Sequence, residues 1–362
     1  MTWEPERLDD QSLLAEADQG AMLPAIAAAA AQVRTAHRDA SEAGVARLAR
    51  DGRPRAIVVA GMGAAALAGD ILAVICGYGA PVPIVTVRSG RLPGWVGAAD
   101  LVMAVSSSGQ TTETLAVAAE AVRRGASLMA VGAQGSPLQA VATQSSALFV
   151  PVTAQGPPRA RLWSLAVPLL AGAGALGLTQ DGTDLFEGVA RALEDMAHRC
   201  RPSSESFVNP GKALAMELAE SVPMVWGASP LTAVAAHRLA LQLHENAKYP
   251  AIWGELPEAL HNQLAVLDGP LAERDIFADT AERTLRLVVL READDRPQAL
   301  FKVAEDRGVP VSELIAEGVN PLERLATLIE LVDYASAYLA LGYGIDPTPV
   351  TSITELKARI SQ

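Results

Sequence analysis

Aromatic side chains are scarce in this chain of 362 residues, at 4% of positions, although half of all residues are hydrophobic. A core with few large rings must be built from Ala, Val, Leu and Ile, which favours helices packed closely on strands. Cysteine is scarcer still. Cys76 and Cys200 stand far apart, with no CxxC and no Cys/His or His/Glu set at ligand spacing. That argues against a disulfide scaffold and a zinc site, and predicts a reduced, cytoplasmic protein with no metal or other cofactor. Positive charge is short too: 29 Lys and Arg face 41 Asp and Glu, a net charge of −12. Nucleic acid and an anionic membrane surface are therefore not expected partners, although an anionic ligand can still be held in a local cradle. The stretch AIAAAAAQV (25–33) is too short and alanine-rich to span a bilayer, and the acidic start MTWEPERLDDQSLL has no apolar signal core.

What the chain has in quantity is rhythm. An acidic helical lead-in runs to about residue 50, with ADQGAMLPAIAAAAAQVRTAHRDASEAG (17–44) reading as one long helix ended near Gly44. Short apolar runs then recur: AIVVAG (56–61), VPIVTV (82–87), LVMAVSS (101–107), SLMAVG (127–132) and ALFVPV (147–152). Segments with helical spacing, ALAGDILAVICGYG and TTETLAVAAEAVRRG, lie between them. Continuous apolar runs alternating with helices predict an α/β fold with a buried, mainly parallel, doubly wound sheet. The plan restarts at VPMVWGAS (222–229), continues through LTAVAAHRLALQLHENAK and LRLVVLRE (285–292), and closes with the helix in NPLERLATLIELVDYASAYLALGYG. The expected organisation is two tandem domains: 1–152 as lead-in and first domain, 153–200 as linker and helices, 201–344 as second domain, and 345–362 as a tail.

The segment AVSSSGQTTETL (104–115) stands out within this rhythm. It runs from an apolar strand through small polar residues into a helix, the geometry in which free backbone amides meet a phosphate. Ser106, Ser108 and Thr111 add hydroxyls, Thr111 or Thr112 can cap the helix, and Gly109 permits close approach. The earlier junction GMGAAALAGD (61–70) is glycine-rich without a hydroxyl. As a dinucleotide fingerprint it is incomplete, which disfavours a dehydrogenase.

In order along the chain, GMGAAALAGD, SSSGQTTET, GPPRARL, LQLHENAKYPA, ELPEALHNQ and ELKARI resemble the bifunctional phosphoglucose/phosphomannose isomerases, two-domain members of the sugar isomerase (SIS) superfamily. HENAKYPA followed by LPEALHN is the most specific element. The resemblance implies two SIS domains and a metal-independent aldose–ketose isomerase interconverting glucose 6-phosphate or mannose 6-phosphate with fructose 6-phosphate through an enediolate. It further implies that Glu245 is the proton-shuttling base, His261 opens the sugar ring, Arg159 stabilises the enediolate, and Lys357 folds back over the site. By the same resemblance Gly63, Ser106, Ser108 and Thr111 hold the phosphate, and the enzyme is a homodimer whose His261 serves the partner's site.

The chain also departs from that pattern. Ala64 and Ala65 stand where Gly and Ser are usual, Gln110 where Asn is, His244 where Asn precedes the glutamate, and Gln263 where Glu follows His-Asn. An alternative reading is therefore a sugar-phosphate sensor or scaffold that keeps the pocket without turnover.

Overall fold

The computed structural model describes residues 2–50, 52–153, 155–272 and 284–360. The lead-in holds three helices, α1 (Gln11–Ala17), α2 (Met22–Ala27) and α3 (Ala29–Ala43), so the stretch 17–44 read as one helix contains two. Asp18 ends α1, and its carboxylate accepts the amides of Met22 (2.7 Å) and Leu23 (2.9 Å), starting α2 afresh while Ala21 adopts a positive φ of 53°. Gly44 terminates α3 in the left-handed conformation, where the sequence places the stop.

The chain divides into two compact units, residues 28–194 and residues 1–27 together with 195–362. This division differs from the sequence-based boundaries for a packing reason. Leu8, Leu14, Met22, Leu23 and Ile26 are buried in the unit that holds the second half of the chain, and 155–194 fall in the unit of the first sheet.

In the 28–194 unit the order is β1 (Ile57–Ala60), α4 (Ala64–Cys76), β2 (Ile84–Val87), β3 (Leu101–Ser106), α5 (Thr112–Arg123), β4 (Ser127–Gly132), α6 (Pro137–Gln144), β5 (Leu148–Pro151), α7 (Leu162–Ala175) and the start of α8 (Thr183–Arg199). The five strands pair in parallel in the order β2-β1-β3-β4-β5. β1 and β3 bury every residue, which is why they read as unbroken apolar runs. One core lies where Val58, Val102, Ala104 and Ala130 meet Val117, Ala121 and Leu138. On the helical side α7, packed against α3 and α4, is buried from Leu162 to Ala173.

In the other unit, α9 (Pro210–Leu218), β6 (Ser221–Gly227), α10 (Pro230–Gln242), β7 (Ile252–Glu255), β8 (Thr284–Arg291), α11 (Gln298–Asp306), β9 (Val311–Ile315), α12 (Pro321–Gly342) and α13 (Thr351–Ile360) follow one another. The parallel sheet is ordered β7-β6-β8-β9. Strand β7 has no counterpart among the predicted strands. It is short, sits at a sheet edge and exposes three of its four residues, so it shows no apolar run. α12 is long and apolar enough to cross a membrane, but its apolar window is wholly buried as the central helix of this unit, packed against α9, α10 and α2.

In both sheets the chain steps to one side of the first strand and then to the other. The switch points lie between β1 and β3, and between β6 and β8. Crevices at the carboxyl ends of strands at such points are where open α/β sheets bind ligands.

Candidate active site

The serine-rich loop leaves the carboxyl end of β3 at the first switch point. Ala104 of β3 pairs with Ala60 of β1, so the loop after Ser106 and the turn Gly61–Gly63 emerge from neighbouring strands. The loop is held from beneath. The amide of Gly109 donates to the Ser106 carbonyl (2.9 Å), and the Gly109 carbonyl accepts from Leu138 at the start of α6 (3.1 Å). Gly109 has a φ of +64°, and a Cβ there would lie 2.1 Å from the Ser136 hydroxyl, so only glycine fits.

Thr111 stands at the N-cap of α5 but does not cap it. Its hydroxyl pairs instead with that of Ser106 at 2.9 Å, and Ser108 Oγ accepts the Gln110 amide at 3.2 Å. The hydroxyls therefore hold the loop's shape, while the first turn of α5 keeps amides that Thr111 has not used. That is an arrangement for an anion. Gly63, with a φ of +56°, is the uncapped N-cap of α4, and no atom lies within 4 Å of where its Cβ would be. Ala65 is buried, with its methyl against Gly61.

The second switch point is built differently. Ser229 caps α10 in a reciprocal capping box with Thr232, and its hydroxyl also reaches Glu292 Oε2 at 3.1 Å. Glu292 is itself paired with Arg324 at 3.0 Å. A capped helix start beside a carboxylate does not suit a phosphate, so the two units are alike in plan and unlike in chemistry.

Two arginines of GPPRARL lie in the same unit as the cradle. Arg159 is buried in a 3-10 turn, Pro158–Ala160, which Gln32 fastens by donating to the Ala160 carbonyl at 2.7 Å. Arg161, the second arginine of GPPRARL, donates to Ser107 Oγ (3.2 Å) and to the Gly156 carbonyl (2.9 and 2.6 Å). It ties residues 156–161 to the serine loop. The paired arginines in PRAR are the only sequence signal for it.

In the other unit Glu245 lies in a π-helical turn, Leu243–Ala247, that continues α10. Such one-turn expansions are frequent at functional sites. Here the turn buries Gln242, Leu243, Asn246 and Ala247 and leaves Glu245 half-exposed. Neighbours lock it from several sides. Asn246 donates to Ser336 Oγ of α12 (2.9 Å), and Tyr249 OH donates to the Ser221 carbonyl (2.6 Å). Lys248, in the left-handed conformation, donates to the carbonyls of Asn246, Asp346 and Pro347 (3.0–3.2 Å). His244 Nε2 lies 3.2 Å from the Ala251 carbonyl oxygen and 3.3 Å from its amide, joining the turn to the residue before β7.

His261 is exposed at the end of a 3-10 turn, Glu258–His261. Gln263 anchors that turn: its amide oxygen accepts from Trp226 Nε1 (2.6 Å), and its nitrogen donates to the Trp253 carbonyl (3.1 Å). A carboxylate at 263 could accept the first bond but not donate the second, so this departure from the family pattern has a structural role. Lys357 lies on α13, whose side chains from 351 to 359 are exposed. Thus the structure groups Gly63, Ser106, Ser108, Thr111 and Arg159 in one unit, and Glu245, His261 and Lys357 in the other. Among the described residues, no group of three or more His, Cys, Asp or Glu is placed to hold a metal ion.

Simultaneous Ser106→Ala and Thr111→Ala replacement removes both members of the hydroxyl pair. It is expected to weaken sugar-phosphate binding at least tenfold in ligand titration, at about 1 kcal/mol per lost hydrogen bond, while shifting the ligand-free Tm little. Unchanged affinity would remove the loop from the site.

Two parallel α/β units with a phosphate-type cradle at one switch point define a two-unit SIS protein. A family model described as the bacterial phospho-glucose isomerase C-terminal SIS domain matches residues 207–360. The bifunctional phosphoglucose/phosphomannose isomerase of Caldicellulosiruptor bescii is 30% identical over 312 residues, 84% of this chain and 89% of that protein. The protein of the same name from Aquifex aeolicus is 29% identical over 87% of this chain and 93% of its own length. Tagatose-6-phosphate ketose/aldose isomerase from Escherichia coli shares the fold, with a TM-score of 0.61 at 14% identity over 93% of this chain and 95% of that one. The chain belongs to the family of bifunctional phosphoglucose/phosphomannose isomerases.

Proposed function

We propose that this protein is an aldose–ketose isomerase that interconverts glucose 6-phosphate and mannose 6-phosphate with fructose 6-phosphate without a metal. The observation that carries the reading is the open, hydroxyl-lined cradle at the first switch point, in a chain 30% identical over most of its length to a protein of that name. The phosphate anchors at Ser106, Ser108, Thr111 and Gly63. Glu245 moves the proton between C1 and C2 of the open-chain sugar, a step that needs a carboxylate at a held position. Arg159 lies in the unit of the cradle, and its fixed charge offsets the negative charge that develops on the enediolate oxygens. His261 assists ring opening, and Lys357, on the terminal helix, closes over the site. Cys76 and Cys200 are both free thiols, which fits a reducing, cytoplasmic location.

The test is formation of fructose 6-phosphate from each aldose phosphate by the purified protein with a chelator present. Turnover of both substrates supports the proposal, and turnover lost only with chelator overturns its metal-free part. Binding without turnover would favour the sensor reading, to which the missing hydroxyl at Ala65 points.

We further propose that the protein is a homodimer in which His261 completes the partner's site. Glu245→Gln and His261→Ala proteins, each nearly inactive, are expected to regain activity when unfolded and refolded together. Random pairing makes about half the dimers mixed, and in these one site carries both defects and the other none, so about a quarter of all sites recover. No recovery would place His261 within its own chain's site.

A further inference from the structure

The amino ends of the first sheet, opposite the cradle, carry a second concentration of positive charge that the isomerase reading does not use. A groove of about 880 Å³ opens beneath the starts of β1, β3, β4 and β5, and Arg47, Arg50, Arg53 and Arg55 line it. Four of the chain's 29 basic residues thus fall within nine positions, RLARDGRPR (47–55), of a protein with net charge −12. The one acid in that stretch, Asp51, lies outside the described residues.

Among the described residues the one carboxylate lining the groove, Asp100, is already committed. Asp100 is 1% exposed and takes a bidentate pair from Arg55 (2.9 and 2.6 Å) together with the Gly97 amide (2.8 Å). Arg55 is fixed further by donating to the Trp95 carbonyl at 2.6 Å. Arg47 spends one nitrogen on the Ala43 carbonyl at 3.3 Å. Among the described residues, Arg50 and Arg53 have no carboxylate partner. Ser127 and Ser146 add exposed hydroxyls on the facing wall. Guanidinium forks with no carboxylate partner among the described residues, beside hydroxyls, can pair two N–H groups with two oxygens of a phosphate. The volume lies within the roughly 300–1,000 Å³ of small-molecule sites, which favours a compact ligand over an extended acidic chain.

We propose that this groove is a second anion site, distinct from the isomerase cradle, that binds a small phosphorylated molecule through Arg47, Arg50 and Arg53. The inference stands apart from the isomerase reading, because its residues lie at the other end of the strands and would bind with or without turnover.

Inorganic pyrophosphate is the probe, titrated calorimetrically into the full chain at low ionic strength. To isolate the groove, the titration uses the Ser106→Ala/Thr111→Ala protein, in which the cradle is weakened. That protein is expected still to bind pyrophosphate at one site per chain. Adding Arg50→Ser/Arg53→Ser should weaken this binding at least tenfold, and Arg50→Lys/Arg53→Lys, which keeps the charge and removes the fork, should recover part of it. Both arginines are exposed, so the Tm should not move. Binding that is absent from the cradle variant, or is unaffected by the serine pair, overturns the proposal. If the serine variant fails to fold, the lysine variant decides, with wild-type affinity counting against the fork.

Discussion

Replacing Glu245 with Gln is expected to lower kcat by about 10²–10⁴-fold while sugar-phosphate binding persists, the range that a positioned general base contributes. The substitution keeps the shape of the side chain and removes only its capacity to take a proton, so the loss should appear in kcat rather than KM. Exchange of the C2 hydrogen with deuterated solvent should vanish with it, because that exchange reports the same proton transfer. If exchange continues at the native rate, the base is another residue.

The structure explains why such a change should act without collateral damage. The backbone around Glu245 is held by bonds that its own side chain need not make: Asn246 to Ser336, Tyr249 to Ser221, and Lys248 to three carbonyls. His244, where the family usually has Asn, adds the link to Ala251. The carboxylate is thus presented by a scaffold that survives its removal.

The turn that presents it is also where the sequence was least legible. Apolar spacing through LALQLHENAK reads as a continuing amphipathic helix, and no local pattern distinguishes a π turn from an α turn. The expansion goes with tertiary bonds to α12, to β6 and to Asp346 beyond α12, whose partners lie 28 to 98 residues away. By contrast β1, β3 and β4 were legible because both faces of the sheet are covered, leaving unbroken apolar runs. The Gly44 stop was legible because a left-handed residue ends the helix, whereas the break at Asp18–Ala21 depends on an aspartate cap and a left-handed alanine that composition hides. In the cradle, residue types pointed to an anion, but the division of labour between Ser106 and Thr111 did not follow from them. A threonine at an N-cap position suggests capping, and here its hydroxyl is turned to its neighbour. Family resemblance supplied the roles of Glu245, His261 and Lys357, since an exposed lysine on a terminal helix carries no signal of its own.

Loss of Asp333 is expected to be the most damaging single change to stability. Arg238 of α10 and Asp333 of α12 form a buried bidentate pair, 2.7 and 2.6 Å, with Arg238 1% exposed. Removing one member of such a pair costs about 3–5 kcal/mol where nothing takes its place. Glu330, one turn before Asp333, is 1% exposed with Oε1 lacking a partner among the described residues. Burial, and then Asp333, push its pKa well above the ordinary 4.5, against the pull of Arg238, so the fold favours its neutral form. A carboxyl whose pKa rises on folding contributes stability below its unfolded value and loses it as pH climbs toward the folded one. The contribution of Glu330 should therefore fall as pH rises above 4.5, and Glu330→Gln should remove that part of the pH dependence and raise stability at neutral pH. In Asp333→Ala, the repulsion is gone and Arg238 has lost its bidentate carboxylate, so Glu330 should ionise more readily and offset part of the loss. The double variant Asp333→Ala/Glu330→Gln lacks both carboxylates and should lose more than the two single changes predict, by about 0.5–3 kcal/mol, the range for residues sharing one network. Urea unfolding of all four proteins at neutral pH measures this. Additive losses would mean that Glu330 does not offset the loss of Asp333.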